Sequence, residues 1–183
     1  MLYIMRHDRT AWNMEHKLQG KTDVPICEAG RPAVEQAAAA YRDTHIDVCY
    51  CSPLIRAVET AEIVLRGREI PIITDDRLEE MSFGVCEGTT DFRDNPDNPI
   101  YPLFAAPETY TIPVEGGESL DELYARTGAF LKEVVEPGLR QGKDILIVGH
   151  GGMNASIVCQ IKKIPVKDFW SVRMNNAELV RLL

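Results

Sequence analysis

At 183 residues, with 45% hydrophobic and 26% charged side chains, the chain is long enough for one packed core and short for two, and its composition is that of an ordinary globular domain. A net charge of -8, from 28 acidic against 20 basic residues, argues against a surface that gathers nucleic acid or anionic lipid. Cys27, Cys49, Cys51, Cys86 and Cys159 are odd in number and include no C-x-x-C spacing, which argues against a disulfide framework or a zinc site; with no leader and no apolar run of membrane length, the expected location is the cytoplasm.

The first apolar run, Leu2 to Met5, reads as a buried strand that ends in Arg6-His7-Asp8-Arg9-Thr10. Residues 9–25 are polar and irregular, and a loop of that length in a compact domain tends to serve a site; Asn13, Gln19 and Gly20 lie in it. Ala33, Val34, Ala37, Ala38 and Tyr41 recur at helical spacing and predict a helix over 28–41. A second strand, 47–52, ends in Ser52-Pro53, an N-cap followed by proline at the first helical position. The helix it opens runs over 53–66, carries Arg56 about one turn in, and is closed by Gly67. A short strand follows at 70–74. Between 75 and 88 the period is unclear, but Leu78-Glu79-Glu80-Met81-Ser82-Phe83-Gly84 sets acidic groups beside an apolar patch.

Pro96, Pro99, Pro102, Pro107 and Pro113 interrupt any regular element over 89–117, which reads as a cap insertion over a pocket. Its ionised residues through Glu118 are Asp91, Asp94, Asp97, Glu108, Glu115 and Glu118 against Arg93 alone, so such a cap is expected to disfavour a substrate with several anionic groups. Phe92, Tyr101, Phe104 and Tyr110 read first as packing within it and, as the alternative, as lining for the substrate side. Ser119-Leu120-Asp121-Glu122 has the capping-box pattern, and Leu120, Leu123, Tyr124, Thr127, Phe130, Leu131 and Val134 continue a helix until Pro137-Gly138. A third strand, 144–148, ends in Gly149-His150-Gly151-Gly152 before a helix over 152–160. A loop with Phe169 and Trp170 and an edge strand within 178–183 complete the chain. His16 and His45 lie in polar loops and are assigned no role.

Strands alternating with helices, without repeats or linkers, predict a single domain over 1–183, a three-layer α/β/α sandwich around a mainly parallel sheet. Such sheets bind ligands at the carboxyl ends of their strands. Arg6-His7, Arg56 and His150 arrive there from three different strands. Two imidazoles and two guanidiniums beside helix N-termini form a donor set for a phosphoryl group.

Arg6-His7-x-x-Thr10, Asn13, Leu18-Gln19-Gly20, the run from Ser52 to Ala61, Glu80 with Phe83-Gly84, Glu87-Gly88 and Gly149-His150-Gly151-Gly152 resemble, block by block and in order, the histidine phosphatase (phosphoglycerate mutase-like) superfamily. The resemblance implies the same α/β fold. It implies that His7 is a nucleophile that forms a phosphohistidine. Arg6, Arg56, His150 and Gly151 would hold the phosphoryl oxygens, Glu80 would act as general acid, and Asn13, Gln19 and Gly20 would face the substrate. No metal or other cofactor is implied. Another branch of the family places an aspartate acid directly after the second histidine, where this chain has Gly151.

One position departs from the family, which has glycine where this chain has Asp8. As a turn residue, Asp8 tolerates left-handed backbone geometry and leaves the loop unchanged. Alternatively, a carboxylate beside the phosphoryl site repels the dianion and holds His7 protonated. The leading expectation is a metal-independent phosphomonoesterase for a small phosphorylated metabolite. The first rival is a mutase acting within phosphoglycerate, for which Arg93 is the only basic residue in the stretch after Glu87-Gly88. The second is a phosphate-binding regulatory protein whose catalysis Asp8 has weakened or abolished. A P-loop is absent.

Overall fold

In the computed structural model, which describes residues 1–183, the apolar runs become Leu2–Arg6 (β1), Val48–Cys51 (β2), Ile72–Thr74 (β3), Ile145–Gly149 (β4) and Leu179–Arg181 (β5). They form one sheet in the order β3-β2-β4-β1-β5, parallel except for β5, which runs antiparallel to β1 at the edge. The helices are Ala11–Met14 (α1), Arg31–Ala40 (α2), Ile55–Val64 (α3), Tyr101–Ala105 (α4), Leu120–Phe130 (α5), Glu136–Arg140 (α6) and Gly151–Lys162 (α7).

Alternation along the strands builds two cores. Leu2, Ile4, Val48, Ile145 and Ile147 face one side, against Leu120, Leu123 and Phe130 of α5 and Met153 and Ile157 of α7. Tyr3, Met5, Cys49, Cys51, Leu146 and Val148 face the other, against Val34 and Ala37 of α2 and Ala57, Ala61 and Val64 of α3. The sheet is therefore covered on both faces, as parallel sheets require, and the three-layer expectation holds. No helix is long and apolar enough to cross a membrane.

Three local expectations are corrected. The helix after β2 starts at Ile55 rather than Pro53: the Ser52 hydroxyl accepts from the Leu54 N–H and caps a turn, so Arg56 is the second helical residue. The helix begun at Leu120 does not stop at Pro137-Gly138. It passes through a π-helical turn at Leu131–Val135 into α6, because the missing Pro137 N–H cannot join an α-helical ladder and the wider turn shifts the pairing. A Cβ on Gly138 would lie 2.8 Å from Ile145 Cδ1, so glycine there lets the helix close on β4. The loop around Phe169 and Trp170 is a 3-10 turn over Val166–Ser171.

The placement that matters most is the central pair. β1 and β4 are neighbours in parallel register, with Arg6 opposite Gly149. Their next residues, His7 and His150, therefore leave the sheet side by side.

Candidate active site

The His7 N–H donates to the Gly149 carbonyl at 2.8 Å, and the His7 and His150 ring centroids lie 5.1 Å apart. Both rings are buried, at 3% and 0% exposure. From β2, α3 delivers Arg56, fully buried, and Arg6 closes the group from the end of β1.

Hydrogen-bond partners fix the proton on each ring. His7 Nδ1 lies 2.5 Å from the Asp8 carbonyl oxygen, which can only accept, so Nδ1 carries the proton and Nε2 the lone pair. His150 is the opposite. Arg56 Nε, which can only donate, lies 3.2 Å from His150 Nδ1, so the proton sits on Nε2. Burial first, then the charges of Arg56 and Arg6, hold His7 well below the ordinary histidine range; burial, Arg56, His7 and Arg6 do the same to His150. Both rings are thus neutral near pH 7. One offers an electron pair and the other an N–H.

Two of the donors are unspent. His150 Nε2 and Arg6 Nε are buried without a hydrogen-bond partner, a costly state unless a ligand supplies acceptors. Arg56 spends three of its five N–H groups: besides His150, its guanidinium donates to the carbonyls of Thr22 at 2.8 Å and Gly20 at 2.7 Å, which leaves two for a ligand. The loop it grips is clamped in turn by Glu87, whose carboxylate accepts from the N–H groups of Lys21, Thr22 and Phe83 and from the Thr22 hydroxyl. Gly20 has φ +58°, and a Cβ there would fall 2.0 Å from Glu87 Oε1, so this position needs glycine twice over.

Glu80 is brought to the same place. Its Oε2 accepts from the Gly152 N–H at 3.0 Å, and its Oε1 from Met153 at 2.8 Å and Met81 at 2.9 Å. An acidic side chain therefore occupies the first turn of α7, where the helix dipole favours negative charge. Arg126 on α5 holds the backbone leading to it, donating to the carbonyls of Arg77, Glu79 and Glu80 while paired with Glu118.

A cavity of about 680 Å³ opens over these groups. Arg6, His7, Asn13, Gln19, Gly20, Arg56, Glu80 and Gly151 all line it, while His150 stands behind, against Arg56. Asn13 faces the cavity but spends its side-chain oxygen on the Thr10 N–H in a capping box, and Gln19 Oε1 accepts from the Thr10 hydroxyl.

Asp8 does not face the phosphoryl region. It lies outside the cavity lining, its Oδ1 accepts from the Arg9 N–H at 2.6 Å, and its carboxyl packs against Gly30 at the start of α2. Its φ is not positive, so the position does not need glycine and the left-handed turn does not describe it. Burial raises the Asp8 carboxyl above its ordinary range. The charge reading of 89–117 is corrected as well. The acidic residues from Asp91 to Glu118 point elsewhere, and this segment gives the cavity Phe92, Arg93 and Phe104.

Sequence reasoning missed Lys17, Trp170 and Arg173 in the lining, and the supports Glu87 and Arg126. The Glu87-Gly88 block was a signal for Glu87. Nothing local marks Arg173, which reaches the cavity from the connection before β5.

A family model described as the histidine phosphatase superfamily (branch 1) matches residues 2–183. The 2,3-bisphosphoglycerate-dependent phosphoglycerate mutase of Cytophaga hutchinsonii is 32% identical over 170 residues, covering 92% of this chain and 80% of the mutase. Phosphoserine phosphatase 1 of Hydrogenobacter thermophilus is 28% identical, with 96% and 82% covered. Among solved structures, Bacillus stearothermophilus YhfR superposes with a TM-score of 0.87 at 31% identity over 97% of this chain and 88% of that one. A mycobacterial glucosyl-3-phosphoglycerate phosphatase gives 0.83 at 29% identity, with 97% and 90% covered.

Proposed function

We propose that this chain, which belongs to the histidine phosphatase superfamily, hydrolyses phosphomonoesters of small metabolites through a phosphohistidine on His7, without a metal. The observation that carries the reading is the opposed pair of tautomers. A nucleophilic lone pair on His7 Nε2 stands beside unspent N–H groups on His150 and Arg6. That combination suits a tetrahedral centre that is attacked at phosphorus and held by its oxygens.

In the first step His7 Nε2 bonds to phosphorus, the ester P–O bond breaks, and Glu80 gives a proton to the leaving oxygen. In the second, water attacks phosphorus, the P–N bond breaks, and the water's proton returns to Glu80. Inorganic phosphate leaves and both side chains are restored. The Arg6, Arg56 and His150 donors serve both steps; removal of one such preorganised donor typically costs about 10²- to 10³-fold in rate. Glu80 is held at the start of α7 by hydrogen bonds donated by Gly152 and Met153, with a third from its neighbour Met81.

Among the relatives described above are both a mutase and phosphatases. The test is turnover of phenyl phosphate in the presence of a chelator, by this protein and by His7→Ala, with an alkaline denaturing quench to trap the phosphoenzyme. Release of phosphate by the parent alone, through an acid-labile and base-stable phosphoryl group, is expected. Turnover that survives His7→Ala, or that the chelator abolishes, overturns the reading.

A further inference from the structure

Glu80 has to present its carboxyl to one particular atom, yet it lies in neither a strand nor a helix. The chain before it makes a single 3-10 turn, Asp76–Leu78, and residues 79–82 belong to no regular element. The backbone carbonyls of this stretch therefore need partners from outside it.

One side chain supplies them. Arg126 Nη1 donates to the carbonyls of Arg77 at 2.7 Å and Glu79 at 2.8 Å, and Nη2 donates to that of Glu80 at 3.2 Å. Its Nε and Nη2 also donate to the two carboxylate oxygens of Glu118, at 2.6 and 2.9 Å, so all five N–H groups are spent inside the protein. Arg126 does not line the cavity, and its route to the chemistry runs through Glu80.

Glu118 fastens the same stretch from the other side. Its N–H donates to the Ser82 carbonyl at 2.9 Å, its Oε2 accepts from the Ser82 N–H at 3.4 Å, and Phe83 bridges to Gly117. It also neutralises the Arg126 fork, so the backbone is held without adding a lone cation close to the acid. α5, which carries Arg126, meets α7 where the Thr127 and Ser156 hydroxyls hydrogen-bond at 2.8 Å, and α7 holds the Glu80 carboxyl through Gly152 and Met153. Backbone and carboxyl of Glu80 are thus both referred to one helix pair.

We infer that Arg126, oriented by Glu118, is a positioning residue for proton transfer from Glu80 to the leaving oxygen. The inference rests on the phosphomonoesterase reading, and the experiment separates the failure of one from the failure of the other.

The experiment compares kcat/KM for 2-phenylethyl phosphate, whose alkoxide needs a proton as it leaves, with that for 4-nitrophenyl phosphate, whose nitrophenolate leaves without one. This constant covers the steps through P–O cleavage and excludes the later hydrolysis of the phosphohistidine. In Arg126→Met the alkyl ester is expected to lose about 30- to 100-fold and the nitrophenyl ester only about threefold. A folding lesion lowers both alike, so the ratio of the two losses carries the result. Glu118→Gln, which loosens the fork without removing it, shifts that ratio in the same direction by less. Equal losses on the two esters, or an alkyl ester rate within about threefold of the parent, overturn the inference. If Arg126→Met does not fold, Arg126→Lys, with one ammonium in place of a directed fork, carries the same comparison. If the parent turns over neither ester, the phosphatase reading fails by itself, and hydrogen exchange decides whether Arg126 positions Glu80. The Gly152 and Met153 amides are then expected to exchange about tenfold faster in the variant while Ile157 and Val158 keep their rates; unaltered exchange at Gly152 and Met153 overturns the positioning role.

Discussion

Arg56→Lys separates charge from geometry at the centre of the site. The substitution keeps a cation but loses a planar fork with three committed directions: Nε to His150 Nδ1, and two further N–H groups to the Thr22 and Gly20 carbonyls. An ammonium on a flexible stem cannot hold all three, and in a fully buried position the abandoned acceptors find no water. Two consequences follow. The phosphoryl oxygens lose a fixed donor, worth about 3–4 kcal/mol in the transition state, or roughly 10²- to 10³-fold in kcat. His150 also loses the partner that keeps its proton on Nε2, so a second donor is lost with the first. The assay is kcat on an aryl phosphate together with ¹⁵N NMR of the His150 ring, which reads the tautomer directly. A variant with kcat within tenfold of the parent, or with His150 still purely Nε2–H, would refute the reasoning.

Glu87→Ala should lower kcat/KM by about ten- to a hundredfold although Glu87 does not line the cavity, because it frees the loop that grips Arg56; Glu87→Gln should recover part of the loss, and steady-state kinetics on both variants checks the order. Asp8→Gly should leave kcat/KM within about threefold, since the carboxyl packs on Gly30 rather than toward the phosphoryl region; a large gain in activity would show that its charge does reach His7. Because His7 and His150 are depressed in the folded protein, the unfolded chain binds more protons between their folded values and about pH 6.5. Stability contributed by the neutral rings is therefore complete above pH 6.5 and lost as pH falls below it, and urea midpoints measured from pH 8 to 5 should fall along that path in the parent and less steeply in His150→Gln.

The strands and their order of arrival were legible because apolar runs such as Leu2 to Met5 and the one ending at Val148 bury on both faces and carry no competing period. The donor set was legible for a related reason: Arg6, His7 and His150 directly follow those runs, so placing the strands placed them. Helix ends were less so. Ser52-Pro53 has the chemistry of a cap, yet the chain turns once more before Ile55, and Pro137-Gly138 has the chemistry of a stop that a π turn absorbs. What sequence could not show is direction. Asp8 follows His7 by one residue yet lies outside the cavity lining, and the acidic character of residues 89–118 says nothing about which of its side chains, in the event Phe92, Arg93 and Phe104, look inward.

The carboxylate of Glu80 at the start of α7 bears on how the site lives among the free anions around it. Inorganic phosphate entering the cavity meets Arg6 and Arg56, with His150 behind them, but finds the Gly152 and Met153 amides already taken. A helix terminus contributes about 0.3–1 kcal/mol to holding an anion, or roughly two- to fivefold in affinity. In the hydrolysis proposed above, that increment of no more than about fivefold is withheld from the phosphate product.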